Sequence, residues 1–407
     1  MKRRNLVLCL ALAVLLAAAA VSAHASGFFD FSSKQKDTVT IPREEYERLQ
    51  RFSKMDTILQ YVEAWYYQEP DVDALIENAT RGLLYGLDDP YSFYYNEEEW
   101  TDLWADDEGE YAGVGLELLG NAEDYTVTIT RVFSNTPSER AGIKKGDILV
   151  RVDDIEVNFY SMQNAVNVMR GEVNAPVEIE VLRGDEYLTF QVNRDIIHIN
   201  RVEYTMLDDG VGYIMLYQFA GESDQEVANA LKALKQQGAT ALILDLRDNG
   251  GGWVNHAVGI ADLFLDEGVL MYSEDRYGDR EEYKTAPGKD DIPLVFLVNS
   301  NSASASEILS GGMQDVGRAK VVGTLTYGKG IMQTVIGLDG DKDGFQMTYA
   351  QYYLPSGTAV HKIGITPDVV SEMPEELASQ SFSLGDLNDP QLKDAWDTVR
   401  DMRGESI

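Results

Sequence analysis

Four serines occupy alternate positions in the stretch 299–311, whose sequence is NSNSASASEILSG. The stretch follows an apolar run and precedes a pattern typical of a helix. A serine-rich turn often only connects two buried elements, but a serine there can also be the nucleophile of an acyl transfer when a base activates it. The serines are Ser300, Ser302, Ser304 and Ser306. The choice between the two interpretations depends on whether the sequence offers a base.

Lys329 is one candidate for this base. It lies in GTLTYGKGIMQ (323–333), an otherwise apolar and glycine-rich segment. Burial there would favour the neutral amine, which can accept the serine proton. His256 and His361 are alternative bases, although the sequence has neither a G-x-S-x-G elbow nor an H-E-x-x-H metal motif. The residues alone leave both kinds of base open.

A turn with three glycines, DLRDNGGGW (245–253), ends another apolar run. Glycine lets backbone N–H groups approach a substrate carbonyl closely, as an oxyanion hole requires. The N–H of Gly251 or Gly252 is therefore a candidate donor. A tight strand-to-helix turn is the simpler alternative.

Two motifs imitate ligand sites without completing them. Gly323, Gly328 and Lys329 have the spacing of a phosphate-binding loop, but Gly330 follows where Ser or Thr would hold magnesium. DGDKDG (339–344) begins like a calcium loop, yet its twelfth position is Ala350 in place of glutamate. We interpret the second motif as a hairpin turn and expect no metal and no cofactor.

The patterns around these motifs predict an α/β protein of several domains. Apolar runs at 211–219, 241–247, 293–299 and 320–324 alternate with helical patterns, which is typical of a sheet covered on both faces. Such sheets place their chemistry at the carboxyl ends of the strands, where the serines and the glycine turn lie. Short strands with one helix after Ser161 predict a β-rich domain at 105–195, and a helical pattern precedes it.

Four segments together resemble the carboxyl-terminal processing, or tail-specific, serine proteases. They are SASASE (302–307), YGKGIMQ (327–333), DLRDNGG (245–251) and GITPDV (364–369). The resemblance extends over about 41–370 and implies a core of the crotonase or ClpP type at 196–375. It implies Ser304 as nucleophile, Lys329 as general base and Gln333 as the residue that orients the lysine.

The resemblance also assigns backbone groups around the nucleophile. The Ala305 N–H would join Gly251 in the oxyanion hole. Ser304 and Glu307 have the spacing of a capping box, which would place Ser304 at the start of a helix, where the helix dipole favours a developing oxyanion. A capping hydroxyl is not free to attack, so we expect Ser304 to alternate between the two roles or Ser302 to cap instead.

The region 105–195, with AGVG (112–115) and SNTPSERAGIKKGDIL (134–149), resembles a PDZ domain. Such a domain would bind a free C-terminal carboxylate through backbone N–H groups and pair the peptide with the following strand, against the helix 162–170. The residues implied are Gly113, Val114, Gly115 and Leu116. The helical region 41–104 would be a pedestal or a dimerisation arm, and a helical tail would occupy 376–407.

The N-terminus predicts export. Lys2, Arg3 and Arg4 precede the apolar run 6–20 and the small-x-small site 23–25, so we expect a signal peptide at 1–25 that is cleaved, although an uncleaved anchor is an alternative. A flexible polar linker would follow at 26–40. The sole cysteine, Cys9, lies inside the signal, which leaves no disulfide in the mature chain. The net charge of −34 excludes nucleic acid as a partner.

Together these observations predict an exported serine endopeptidase with a Ser–Lys dyad, acting near the C-termini of proteins or peptides. A homodimer and an activating adaptor are further partner hypotheses. The alternatives are a PDZ scaffold whose protease domain is inactive, and a small-molecule acyl hydrolase on a crotonase-like fold.

Overall fold

The computed structural model describes residues 39–121, 124–338, 340, 342–377 and 382–404, and the chain divides into two units at Ile76 and Glu77. The predicted signal peptide and all but the end of the predicted linker lie outside the described residues. Within those residues, no helix is both apolar enough and long enough to span a bilayer.

The first unit is helical, as the sequence predicts for residues after Pro42. Helices α1 (Arg43–Leu49) and α2 (Ser53–Trp65) are joined by the 3-10 turn Gln50–Phe52, and α3 (Val72–Tyr85) begins before the unit ends. No residue described between 39 and 76 is buried. Large apolar side chains of this unit are exposed, and they include Tyr46, Leu49, Phe52, Met55 and Ile58.

The second unit contains the predicted β-rich domain. Its sheet has the strand order β3-β4-β5-β7-β8, with β6 paired to β5. The strands are β3 (Leu116–Gly120), β4 (Val127–Val132), β5 (Ile148–Val152), β6 (Ile155–Glu156), β7 (Pro176–Arg183) and β8 (Glu186–Asn193). Alternate residues such as Val127, Ile129 and Ile179 face inward and form the core of this domain. The sequence pattern did not predict strand β8.

Two helices complete this domain. Near its start α4 (Glu97–Glu108) leads into β2 (Glu110–Gly113), which pairs with β9 (Asp195–His198) where the domain ends. Helix α5 (Pro137–Ala141) is short, and α6 (Met162–Met169) follows Ser161 as predicted. The Ser161 side chain does not cap α6, because its hydroxyl donates to the Glu156 carbonyl at 2.8 Å.

The remainder of the unit is built on a six-stranded sheet of order β10-β11-β12-β15-β16-β19. Apart from the antiparallel pair of β10 and β11, neighbouring strands run parallel. The strands are β10 (Val202–Met206), β11 (Val211–Leu216), β12 (Ala241–Asp245), β15 (Leu294–Val298), β16 (Lys320–Gly323) and β19 (Val369–Val370). The four predicted apolar runs are β11, β12, β15 and β16.

Both faces of this sheet are covered, which confirms the prediction from the continuous apolar runs. One face packs on helices α7 (Ser223–Gln236), α8 (Val254–Asp262) and α9 (Ala305–Asp315) through residues such as Leu244. The other face packs on α10 (Pro390–Met402) through Ile243 and Trp396. The helix predicted as a tail is therefore part of the core.

A second, antiparallel sheet lies beside this core. It comprises β1 (Phe93–Tyr95), β13 (Gly268–Asp275), β14 (Arg280–Thr285), β17 (Ile331–Leu338) and β18 (Asp343–Tyr353). Leu338 of β17 pairs with Asp343 of β18, so the motif that imitates a calcium loop lies at a hairpin turn, as predicted.

Candidate functional site

Ser304 lies at the N-cap of α9, a few residues beyond the carboxyl end of β15. Its backbone has φ 55° and ψ −115°, which is strained for a residue with a side chain and costs roughly 1–3 kcal/mol. Ser304 and Glu307 form a capping box, in which the Glu307 carboxylate accepts from the Ser304 N–H at 3.0 Å. Ser304 therefore lies at the start of the helix, as its spacing to Glu307 predicts.

The other serines of the turn have different surroundings. The buried Ser302 hydroxyl donates to the Leu246 carbonyl at 2.8 Å, and the buried Ser306 hydroxyl donates to the Asn249 carbonyl at 2.9 Å. Ser300 is exposed. Ser302 does not cap α9, so that part of the prediction is wrong. Ser304 is the serine of this turn that lines a cavity together with Lys329.

Lys329 lies between β16 and β17, and its side chain is half-buried. Burial lowers the pKa of the Lys329 amine, and the charges of Asp89 and Glu307 oppose that shift. The amine nitrogen lies 4.4 Å from the centre of the Tyr91 ring. The hydrogen bond between the Tyr91 and Tyr327 hydroxyls, with burial, raises the pKa of Tyr91 to about 12, so the ring facing the lysine is neutral.

One cavity of about 300 Å³ is lined by Ser304, Lys329 and Gln333, but not by Gly251 or Ala305. We call it the reaction cavity. The residues of its lining that matter for the argument are Ser304, Lys329, Gln333, Gly250, Gly252 and Trp253. Gln333 donates to the Thr348 hydroxyl at 3.1 Å. Gln333 thus lines the reaction cavity, while its amide binds Thr348 of β18. Its role in orienting Lys329 stays a prediction.

The glycine turn lies directly against Ser304. Gly251 has φ +103°, and a side chain there would place its Cβ 2.8 Å from the Cβ of Ser304 and 2.9 Å from the Ala305 nitrogen. The Gly251 N–H donates to Asn249 Oδ1 at 2.9 Å, so this predicted oxyanion donor is occupied in the present conformation. As the first residue of α9, Ala305 has an N–H without a partner inside the helix.

Neither alternative base lines the reaction cavity. His256 Nδ1 lies 2.9 Å from Asp224 Oδ1, between α7 and α8. The His361 backbone packs against Gly330, and burial lowers the pKa of its imidazole. The geometry therefore favours Lys329 over both histidines as the base for Ser304.

A second cavity, of about 580 Å³, runs between β3 and α6 to the glycine turn. Its apolar walls form the recognition groove, defined by Val114, Leu116, Leu118, Met162, Val166 and Met169. Gly113 lies outside this set, because it belongs to β2 and pairs with Asp195 of β9. Gly115 has φ +86°, and a Cβ there would lie 2.4 Å from that of Thr136. Gly250 and Gly252 line both cavities.

Sequence reasoning missed three residues around the dyad. Tyr91 belongs to the segment LLYGLDDPYSFYY (83–95), but nothing in that pattern places its ring over Lys329. The sequence presents Glu307 only as a helix cap, and Tyr352 lies in a strand with no motif. The polar atoms of Glu307 and Tyr352 contact the backbones of Ser304 and Lys329. Only the fold brings these distant residues together.

Comparison with known proteins gives three family matches along the chain. Residues 210–371 match the Peptidase family S41, residues 128–183 match the PDZ domain, and residues 15–99 match the activating protease CtpB N-terminal domain. Within the described residues, no three histidine, cysteine or acidic side chains are grouped so that they could hold a metal ion.

Individual relatives span most of the chain. The carboxy-terminal-processing protease of Bartonella bacilliformis is 34% identical over 363 residues, which cover 86% of this chain and 82% of that protein. The carboxyl-terminal-processing protease of a Synechocystis species is 36% identical over 342 residues, covering 80% and 79%. The solved structure of a photosystem II D1 C-terminal processing protease is 29% identical, with a TM-score of 0.57, and covers 87% of this chain and 100% of that one.

Proposed function

The chain belongs to peptidase family S41, the carboxyl-terminal processing serine proteases, and on that premise we propose that it cleaves peptide bonds near substrate C-termini with a Ser304–Lys329 dyad. The observation that carries this proposal is the reaction cavity, which Ser304 and the half-buried Lys329 both line. The lowered pKa of the Lys329 amine increases the fraction that is neutral and able to accept a proton.

The reaction would be an acyl transfer in two halves. The Ser304 oxygen attacks the scissile carbonyl carbon while the Lys329 amine takes the hydroxyl proton. The C–N bond then breaks, the proton passes from Lys329 to the leaving amine, and an acyl-enzyme remains. Water, deprotonated by the same amine, releases the new C-terminus and restores Ser304.

The charge that develops on the carbonyl oxygen needs nearby donors. The Ala305 N–H at the start of α9 is one, assisted by the helix dipole. The Gly251 N–H would be the second if substrate binding displaces its bond to Asn249. The Lys329 amine would turn from the Tyr91 ring towards Ser304, with Gln333 orienting it.

The PDZ domain would bind the substrate's free C-terminus in the recognition groove. Gly250 and Gly252 border both the recognition groove and the reaction cavity, which supports a substrate path between them. A carboxylate bound by the N–H groups of Gly113, Val114, Gly115 and Leu116 would leave upstream residues to extend towards Ser304. Gly113 is already paired with Asp195 of β9, so its N–H has less support as a carboxylate donor than the other three.

Two further proposals concern the localisation of the protein and its oligomeric state. The N-terminal pattern supports export, which N-terminal sequencing of the mature protein would test. The exposed apolar side chains of α1 and α2 support a homodimer. Phe52→Glu should lower the mass measured by light scattering, whereas Lys54→Glu, an exposed change without apolar loss, should leave it unchanged.

A digest separates the proposed function from its alternatives. Two kinds of substrate would be tested on the wild-type protein and on Ser304→Ala. The first is a peptide with a free apolar C-terminus, and the second is a short activated ester. We expect only the wild type to cleave the peptides. An inactive scaffold would bind the peptides without cleaving them, and a small-molecule hydrolase would cleave only the ester.

A further inference from the structure

The Glu307 carboxylate is buried without exposed surface and accepts four hydrogen bonds. Its Oε1 accepts from the Thr326 hydroxyl at 2.6 Å and from the Gly328 N–H at 2.7 Å. Its Oε2 accepts from the Ser304 N–H at 3.0 Å and from the Lys329 N–H at 2.8 Å. Capping the helix requires only the bond to the Ser304 N–H. The other three bonds join Glu307 to the segment that carries Lys329.

Tyr352 of β18 contacts the same two backbones from their carbonyl side. Its buried hydroxyl lies 2.7 Å from the Lys329 carbonyl oxygen and 3.3 Å from the Ser304 carbonyl oxygen. A phenol has one proton, so it donates mainly to Lys329 and shares that proton with Ser304. Ser304 and Lys329 are thus joined twice, by their N–H groups to one carboxylate oxygen and by their carbonyls to one hydroxyl.

We propose that Glu307 and Tyr352 form a brace that fixes the spacing between the Ser304 and Lys329 backbones, and that both are positioning residues for the dyad. This inference rests on the proposed function, because the brace matters to catalysis only if these two residues react. Glu307 does not line the reaction cavity, and Tyr352, which does line it, binds the two carbonyls through its hydroxyl.

Both braced segments need such support. The Ser304 backbone is strained and would relax towards an unstrained conformation without a strong partner for its N–H. The Lys329 segment has glycine on both sides and no helix or strand of its own. A buried carboxylate is costly unless it is fully hydrogen-bonded, and four donors meet that condition.

Glu307→Gln is the main test. The amide group would face donors that now bind a carboxylate oxygen, so the spacing of the dyad would be lost. We expect kcat on a tailed peptide to fall roughly 10²-fold, as a misplacement of about 1 Å can cause, with KM within a few-fold of the wild-type value. Rates would be corrected for the folded fraction measured by circular dichroism.

The pH profile of kcat/KM distinguishes the brace from a loss of protein stability, because a lower folded fraction would not move the pH of the rising limb. The groups facing the Lys329 amine are the Asp89 and Glu307 carboxylates and the Tyr91 ring. Glu307→Gln removes one of the two negative charges, so the rising limb of kcat/KM should move to lower pH. Tyr352→Phe removes no charge, so it should lower kcat roughly tenfold through spacing alone and leave the limb in place.

Two variants in the same domain serve as matched controls. Thr285→Val removes a buried hydroxyl that donates to the Asp266 carbonyl at 2.8 Å, and Ser371→Ala removes one that donates to the Asp394 carboxylate at 2.6 Å. Both should change stability without changing corrected kcat or the pH limb. If Glu307→Gln proves unable to fold, Tyr352→Phe alone decides the result: unchanged corrected kcat would overturn the brace.

A measurement without turnover separates this inference from the proposed function. The lysine side chains would be labelled with ¹³C and the Lys329 signal, assigned through Lys329→Arg, titrated by NMR in a Ser304→Ala background. The brace predicts a changed shift and a lower midpoint on adding Glu307→Gln, and an unchanged titration overturns it. Full activity in Ser304→Ala would instead refute the proposed function, and the titration would still decide whether Glu307 governs the amine.

Discussion

The backbone N–H and carbonyl of Ser304 are bound by buried side chains, whereas the recognition groove has apolar walls in a cavity that Glu117 and Arg131 also line. Ser304 has a strained backbone, and its N–H binds a carboxylate with no exposed surface. Leu116 and Val166 of the groove are only partly buried. Under the proposed function, the fixed groups would position the bond to be cleaved, and the groove would adapt to varied C-termini.

The largest expected effect falls on the reaction cavity. Ser304→Ala and Lys329→Ala should each lower kcat/KM for a tailed peptide roughly 10⁴-fold or more, because a dyad acts as a unit. The double variant should be no slower than either single one. Substantial peptide cleavage by Lys329→Ala would refute the dyad, and tailed-peptide binding, measured by fluorescence anisotropy, should survive in all three proteins.

The next effect tests how tightly the cavity is fixed. Gly251→Ala would push a methyl group against Ser304 and should lower kcat roughly 10²-fold. Gly142→Ala is the matched control, since Gly142 also has positive φ but a methyl group there would meet no neighbouring atom within 4 Å. The control should lose about 1 kcal/mol of stability in urea unfolding and keep its kcat. Equal kcat losses in both would contradict the contact with Ser304.

A smaller effect is expected at the recognition groove. Amidating the C-terminus of a substrate removes the charge that accepts backbone hydrogen bonds, so KM should rise about tenfold or more. Hydrolysis of a short activated ester by the same enzyme should not change. Identical KM values for amidated and free-acid peptides would refute the role of the groove and leave the protease assignment intact.

The rising limb of the pH–rate profile should belong to Lys329 and not to a histidine. Lys329 must be neutral in the free enzyme, so kcat/KM should rise with pH through the lysine pKa. Burial lowers that pKa, so the limb should lie below the ordinary lysine value of about 10.4. Replacing His198, His256 and His361 with Gln should leave the profile unchanged. Loss of a limb near about 6.5 in that variant would support a histidine base.

These regions also differ in what the sequence could predict. Continuous apolar runs predicted β11, β12, β15 and β16. A strand that is buried on both faces consists almost entirely of apolar residues, and such a run is visible in the sequence. The prediction of Ser304 needed the family resemblance, since the sequence does not show that the Ser302 and Ser306 hydroxyls donate to the Leu246 and Asn249 carbonyls. Those partners come from a separate turn, near residue 249, and no local pattern encodes such contacts. The same holds for Tyr352, which lies in a strand far along the chain from Ser304.

The left-handed backbone at Ser304 has an evolutionary consequence. Glycine accepts that conformation without cost, so Ser304→Gly should raise the melting temperature by an amount equivalent to about 1 kcal/mol, whereas Ser304→Ala keeps the strained φ. Equal melting temperatures for the two variants would contradict this. A descendant released from selection for cleavage would gain stability by losing its hydroxyl in this way. Glycine at this position would then mark a lineage that kept the fold and abandoned the reaction.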